Sequence, residues 1–177
     1  MPATESEYTI RPAVLADLPQ IVAIYNSTIA SRTVTADLAP VTVASRWAWF
    51  AEHTPERRPL WVALRQADIA AGHEHNIAGW LAFSSFYDRA AYDATVEVSL
   101  YIHENARGKG LGKLLHAHGV AAAQGLGIRH LVGYISALNA PSLAFFAAEG
   151  YEQWGLLPNV VQMTEAESDV IIMGRRV

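Results

Sequence analysis

The sequence predicts a mixed α/β (α+β) fold, one central twisted sheet flanked by helices, and three observations carry that expectation. Apolar runs rich in β-branched and aromatic residues are spaced between segments whose apolar residues recur at helical intervals. The first half places strand-like runs next to one another as a hairpin would, whereas the second half runs strand, helix, strand, helix and closing strands. Apolar residues make up 51% and charged residues 17% of 177, enough to close a core without disulfides or metal. No repeat or linker divides the chain, so one domain over residues 1–177 is expected, with its core over about residues 8–176.

Residues 8–11 alternate and read as a short strand. Asp17 is then placed to cap a helix carrying Leu18, Ile21, Val22, Tyr25 and Ile29, with Pro19 tolerated in its first turn. Thr42 is the expected cap of a second helix, with Trp47, Trp49 and Phe50 as its packing stripe. Residues 59–65 and 77–87 flank the polar stretch 66–76, the pattern of a hairpin with a loose connection; Trp80 and Phe83 read as core. Residues 95–102 form the third long strand. A helix follows the glycines at 108–112, with Leu111, Leu114, Leu115, His118 and Ala122 as its apolar stripe and an end near Gly125 or Gly127. A buried strand at 130–135, a helix at 142–149 opened by Pro141 and stopped by Gly150, and strands at 151–157 and 169–176 complete the chain.

Composition removes several function classes. A formal charge of −4 leaves no basic excess for nucleic-acid backbones, so no nucleic-acid partner is expected. With no cysteine there is no disulfide framework, Cys-rich zinc site or acyl-cysteine mechanism. The opening residues lack a basic segment followed by an apolar run, and apolar spans are broken well before membrane length; a cytoplasmic protein without a membrane partner is expected.

Residues 100–113, Leu-Tyr-Ile-His-Glu-Asn-Ala-Arg-Gly-Lys-Gly-Leu-Gly-Lys, run from a strand through a polar turn into an amphipathic helix. Gly108, Gly110 and Gly112 let backbone N–H groups crowd around one anion, and the helix points its positive end at the same place. Arg107, Lys109 and Lys113 add cationic side chains, so a pyrophosphate fits. The P-loop pattern fails, because Gly108 and Gly112 are one residue too close and Leu114 follows Lys113. The dinucleotide fingerprint fails at Leu115. The pattern [QR]-x-x-G-x-[GA] after a strand is met by Arg107, Gly110 and Gly112. Taken alone, such a turn could equally bind nothing.

A second segment follows at residues 138–151, Leu-Asn-Ala-Pro-Ser-Leu-Ala-Phe-Phe-Ala-Ala-Glu-Gly-Tyr. The two together resemble the paired signatures of the GNAT acetyltransferases, this turn and N-x-x-[SA]-x-x-[FL]-[YH]-x-x-x-G-[FY]. Tyr25-Asn26, Ala91-Tyr92 and Thr95-Val96-Glu97-x-Ser99-x-Tyr101 resemble the phosphinothricin and methionine sulfoximine acetyltransferase branch, and the likeness runs from Tyr8 to Arg175. It implies the GNAT acyl-CoA N-acyltransferase fold, acetyl-CoA as cosubstrate, direct transfer to the primary amine of a small molecule such as an amino acid or analogue, and a homodimer. No metal is implied. Alternatives are a peptide or protein N-acetyltransferase, or an acetyl-CoA-binding module that has lost catalysis.

By the same resemblance, the backbone of Leu100, Tyr101 and Ile102 pairs with the pantetheine arm. Arg107, Gly108, Lys109, Gly110, Leu111, Gly112 and Lys113 hold the pyrophosphate, and Asn139 contacts the cofactor with Ser142 close by. Glu97 is the candidate base, directly or through a water. Alternation sets Glu97, Ser99 and Tyr101 on one strand face, and partial desolvation there would raise the carboxyl pKa; a solvated strand face is the competing reading. Arg89 and Tyr92 are expected to border the acceptor pocket, Arg89 pairing with a substrate carboxylate or else lying exposed in a loop.

Two departures stand out. Four residues after Ser142, where the family has tyrosine or histidine, this chain has Phe146, which cannot move a proton. The branch's late segment G-[FT]-K-x-G-x-W-x-D-[VL] keeps only Asp169 and Val170, so its substrate is not carried over; Glu165 and Glu167 would suit a more cationic acceptor if they face the pocket. His73, Glu74 and His75 read as a polar loop, and His116 and His118 point away from one another on their helix.

Overall fold

The computed structural model describes residues 7–163 and 167–177. Strands β1 (Tyr8–Pro12), β2 (Leu60–Arg65), β3 (Ile77–Ser85), β4 (Thr95–Ile102), β5 (His130–Ser136), β6 (Glu152–Gln162) and β7 (Glu167–Arg176) form one sheet in the order β1-β2-β3-β4-β5-β7-β6. All pairings are antiparallel except β4 with β5, the pair joined through helix α4 (Leu111–Ala123). Helices α1 (Leu18–Asn26), α2 (Trp47–Ala51), α3 (Gln66–Ala70) and α5 (Ala140–Ala148) complete the set.

Strand alternation sorts the core into two layers. On one face Val96, Val98, Leu131 and Ile135 pack against Leu111 and Leu115 of α4 and Phe146 of α5. On the other, Val62, Leu64, Trp80 and Ala82 pack against Leu18, Ile21 and Ile24 of α1. Helix α1 ends when the hydroxyls of Ser27 and Thr28 donate to the carbonyls of Ile24 and Tyr25, turning the chain before Ile29. Thr42 accepts from the Ser45 N–H at 3.1 Å and so opens the turn leading into α2.

Some sequence expectations are corrected. Asp17 does not cap α1: its buried carboxylate takes two hydrogen bonds from Arg11 at 2.7 and 2.9 Å, one from His75 Nδ1 at 2.7 Å and one from the Val14 N–H at 2.9 Å. A fixed bidentate cation outcompetes a helix terminus for a carboxylate. The stretch after β2 holds the short helix α3 instead of an irregular connection. On α4 the buried face runs through Leu111, Leu115, His116, Gly119 and Ala123, which leaves His118 on the outer side beside Trp61. Gly119 sits on that inner face because a Cβ there would come within 3.1 Å of Leu81 and Phe83. Among the described residues, no helix is long and apolar enough to cross a membrane.

Candidate active site

The parallel pairing of β4 with β5 covers only Thr95–His130, Val96–Leu131 and Glu97–Val132. Beyond Glu97 the strands part: β4 continues to Ile102 along β3, and β5 continues to Ser136 along β7. Leu100, Tyr101 and Ile102 therefore present one backbone edge to a wedge instead of to a neighbouring strand. Unpaired backbone groups there need a partner from outside the sheet. Gly79 opposite Ile102 keeps β3 close, since a Cβ would lie 2.8 Å from the Ile102 side chain.

The glycine turn stands at the end of this strand. Gly108 (φ 71°) and Gly110 (φ 85°) adopt left-handed backbone that side-chain-bearing residues rarely hold. The first helical bond of α4 runs from the Leu114 N–H to the Gly110 carbonyl at 3.1 Å, so the amides of Leu111, Gly112 and Lys113 precede the ladder and point outward as donors. Arg107 Nε donates to the Ile102 carbonyl at 3.0 Å and Lys109 Nζ to the Asn105 carbonyl at 2.8 Å, which braces the turn. Lys113 is exposed. Donors, positive helix end and open glycines together fit a pyrophosphate, and the wedge fits an extended arm that hydrogen-bonds like a strand. Asn139 is buried at the N-terminus of α5, where its Oδ1 accepts from the Ser142 N–H at 3.2 Å. The helix cap thus explains Asn139 locally, and it brings Ser142 beside it.

Glu97 opens onto a cavity of about 220 Å³ on the α1 side of the sheet. Ser99 and Tyr101 follow it along β4, Trp80 comes from β3, Ile21, Val22 and Tyr25 from α1, Trp49 from α2, and Val41 and Arg46 from the segment between the helices. The aromatic rings form a continuous wall. Trp80 stacks on Tyr101 at 4.6 Å, Tyr25 leans on Tyr101 at 5.3 Å, and Trp49 meets Trp80 edge-on at 5.8 Å. Burial alone raises the Glu97 pKa above the ordinary carboxylate value, and burial likewise drives the Tyr101 phenol up, so Tyr101 stays neutral. A carboxylate in such surroundings takes up a proton more readily than an exposed one.

Arg46 supplies the cavity's positive charge. Its Nη2 lies 3.1 Å from Asp37 and its guanidinium 5.1 Å from the Tyr25 ring centre. Tyr25 in turn hydrogen-bonds Thr35 and Asp37, and the Asn26 carboxamide pairs with both backbone groups of Val41 at 2.9 Å. These bonds hold an otherwise irregular stretch against α1 and aim Arg46 inward.

The structure does not bring every expected residue to this cavity. Arg89 and Tyr92 lie exposed on the β3–β4 connection, with Arg89 over the Tyr87 ring at 5.5 Å and Tyr92 against Phe86 and Tyr87, and neither lines the cavity. Trp80, read as core, is buried yet forms cavity wall; Trp49 does too, while Trp47 is exposed. Phe83 is core, as read. Phe146 packs between Gly133, His116 and Tyr151 on the opposite face from Glu97. Glu165 lies outside the described residues, and Glu167 is exposed at the start of β7. Sequence reasoning missed Arg46 altogether, because an arginine in an irregular stretch carries no spacing signal.

The sequence model of the Acetyltransferase (GNAT) family matches residues 22–151. YwnH of Bacillus subtilis (strain 168) is 47% identical over 167 residues, 94% of this chain and 98% of that protein. The L-methionine sulfoximine/L-methionine sulfone acetyltransferase of Pseudomonas paraeruginosa (strain PA7) is 34% identical over 154 residues, 87% of this chain and 86% of that one. The crystal structure of a GNAT superfamily phosphinothricin acetyltransferase from Sinorhizobium meliloti, in complex with AcCoA, superposes with a TM-score of 0.85 at 30% identity, covering 97% of this chain and 89% of that one. A split parallel pair, a glycine turn braced for an anion and a half-buried carboxylate beside the split are thus joined by likeness over most of the chain: the protein belongs to the GNAT family and is an acetyl-CoA-dependent N-acetyltransferase.

Proposed function

We propose that the protein acetylates the primary amine of a small molecule that carries a carboxylate near that amine, with Glu97 as the base. The observation that carries this reading is the small aromatic cavity of about 220 Å³ with a carboxylate and a guanidinium in its lining. It suits a free amino acid or analogue and leaves little room for a peptide. Names of relatives point the same way, since the Pseudomonas relative is named for methionine sulfoximine and the Sinorhizobium structure for phosphinothricin.

Bound acetyl-CoA supplies the activated acetyl thioester. The backbone of Leu100, Tyr101 and Ile102 holds its extended arm; the amides of residues 107–113 and the side chains of Arg107, Lys109 and Lys113 hold the pyrophosphate; Asn139 and Ser142 border the arm from α5. Arg46 pairs with the acceptor carboxylate through the part of its guanidinium not engaged by Asp37, and the aromatic wall excludes water around the side chain. Glu97 takes a proton from the ammonium. Its burial-raised pKa matches base to working pH better than an exposed glutamate would. Arg89 and Tyr92, exposed on the β3–β4 connection, take no part in holding the acceptor on this reading.

The chain acts in the cytoplasm as a homodimer, without nucleic-acid or membrane partners and without a metal. Trp154, Leu156, Leu157 and Val160 expose apolar side chains along β6, an edge strand, and that edge suits a second copy. Light scattering behind size exclusion reads the oligomer.

The deciding experiment is free-CoA release from acetyl-CoA over a panel of amino acids, analogues, polyamines and short peptides, run beside Glu97→Gln. Amino-acid-dependent release that collapses in the variant supports the reading. Faster turnover of peptides transfers the reading to a peptide acetyltransferase, and tight acetyl-CoA binding with no release for any amine leaves a binding module.

A further inference from the structure

Acetylating an ammonium group leaves one proton over. The N–C bond forms, the C–S bond breaks, one proton from nitrogen ends on sulfur and another leaves the protein. On the reading above, which this inference rests on, that proton starts on Glu97. The acceptor's nitrogen stands against Glu97 while that proton has to leave, so a second route off the carboxyl speeds the turnover of the base.

Ser84 is the direct register partner of Glu97 across β3 and β4. Residues so paired share a sheet face, with Cβ atoms about 4.5–5.5 Å apart. Ser84 Oγ lies 3.3 Å from Nε2 of His53, just beyond the end of α2. The other ring nitrogen, Nδ1, lies 2.7 Å from the Trp49 carbonyl oxygen. A carbonyl only accepts, so Nδ1 carries the hydrogen and Nε2 offers its lone pair to the serine hydroxyl. Burial lowers the His53 pKa, against upward pulls from its hydrogen bond to the Trp49 carbonyl and from Glu52 beside it in the chain, so the ring is neutral at pH 7. The charged groups on this side are Glu97, across Ser84 on β4, and Arg46 with its partner Asp37, which line or border the same cavity. The Trp49 ring that walls the cavity packs on His53 at 4.6 Å, which ties the imidazole to the acceptor's seat.

We propose that His53 is a positioning residue for the Glu97 base, receiving through Ser84 the proton that Glu97 takes from the acceptor. The Glu97 O–H breaks as Ser84 Oγ gains that proton, the serine's own proton moves to His53 Nε2, and the imidazolium returns it to solvent. No electron changes hands, and His53 touches neither substrate.

His53→Asn keeps an N–H for the Trp49 carbonyl but removes the titrating nitrogen, and Ser84→Ala breaks the line from the other side. Each is expected to lower kcat about tenfold or more with the KM for acetyl-CoA unchanged, since acid–base assistance acts on the proton and not on binding. The double variant is expected to be no slower than the slower single, and the acidic limb of the kcat profile to lose one ionisation. Nitrogen-15 NMR of the imidazole in the free protein is expected to read the Nδ1–H tautomer and to show the Nε2 signal moving in Ser84→Ala. Wild-type kcat and pH profile in His53→Asn, or an Nε2–H tautomer, would overturn the proposal. Should His53→Asn fail to fold, Ser84→Ala and the tautomer decide it. Glu97→Gln run alongside separates the two readings: collapse there with a wild-type His53→Asn sinks only the relay, whereas an active Glu97→Gln sinks the base itself.

Discussion

The turn after β4 and the cavity on the α1 side make opposite demands on the chain. The turn takes its donors from consecutive residues, 107–113, and most of them are backbone N–H groups whose placement needs only two left-handed glycines and a helix start. The cavity takes side chains from α1, the following segment, α2, β3 and β4, none of which is useful without the others. A site made of backbone tolerates change in neighbouring side chains, while a site made of converging side chains is altered by a single substitution. On the proposed reading, cofactor recognition at the turn and acceptor recognition in the cavity are separable, and substitutions test that separation.

The largest expected effect is on chemistry at the cavity. Glu97→Gln should lower kcat by ~10²–10³ without changing acetyl-CoA affinity, as loss of a positioned base does; steady-state kinetics with calorimetric acetyl-CoA binding checks both halves. Because burial raises the Glu97 pKa, the wild-type rate should climb with pH through a range above that of an ordinary carboxylate.

Breaking the turn should do the reverse. Gly110→Val forces a β-branched residue to φ 85°, a conformation costing roughly 1–3 kcal/mol. Acetyl-CoA binding should weaken by about five- to a hundredfold, with fluorescence of the aromatic cavity unchanged. If the spectrum shifts as much as the affinity, the two regions are not separable.

Arg46→Ala should raise the acceptor KM about tenfold, the scale of one charge-assisted hydrogen bond, and leave the acetyl-CoA KM alone. Arg89→Ala, outside the cavity, should change the acceptor KM far less. The reverse ranking would return the carboxylate to Arg89.

The smallest effect on catalysis belongs to Asp17, immediately before α1 and outside the cavity lining. Arg11 and His75 hold its pKa below the usual carboxylate value even though burial pushes the other way. A folded pKa below the unfolded one means the unfolded chain binds more protons as acid is added. The contribution is therefore complete above about pH 4 and is lost as pH falls through the depressed value. Asp17→Asn should cost ~2–3 kcal/mol at pH 7, below the full penalty for a buried pair because Arg11 is partly exposed, and much less near pH 3. Urea melts at the two pH values check it, with kcat nearly unchanged.

What was legible in advance follows the same division. The limits of β4 at residues 95–102 and the stop of α5 at Gly150 depend on local rules, alternation and glycine geometry, and the structure agrees with them. On α4 the expected stripe holds at Leu111, Leu114, Leu115 and Ala122, and only His118 was misplaced, because it looks as suitable as His116 until the sheet beneath is known. Asp17 was misread because capping is a local preference, and Arg11 and His75 reach it from other parts of the chain. Arg46 gave no local signal, and of the two readings of Arg89 the structure shows the exposed loop arginine, outside the cavity.

By itself, the sequence determined the order of the strands and the main helices, the glycine turn and the candidacy of Glu97, since each rests on contacts between near neighbours or on one-residue alternation. Only the tertiary structure decided where β4 parts from β5, which aromatics wall the cavity, and that Ser84, the register partner of Glu97, meets His53. Those facts are distances between residues far apart in the chain, and they arise from packing all seven strands and their helices at once.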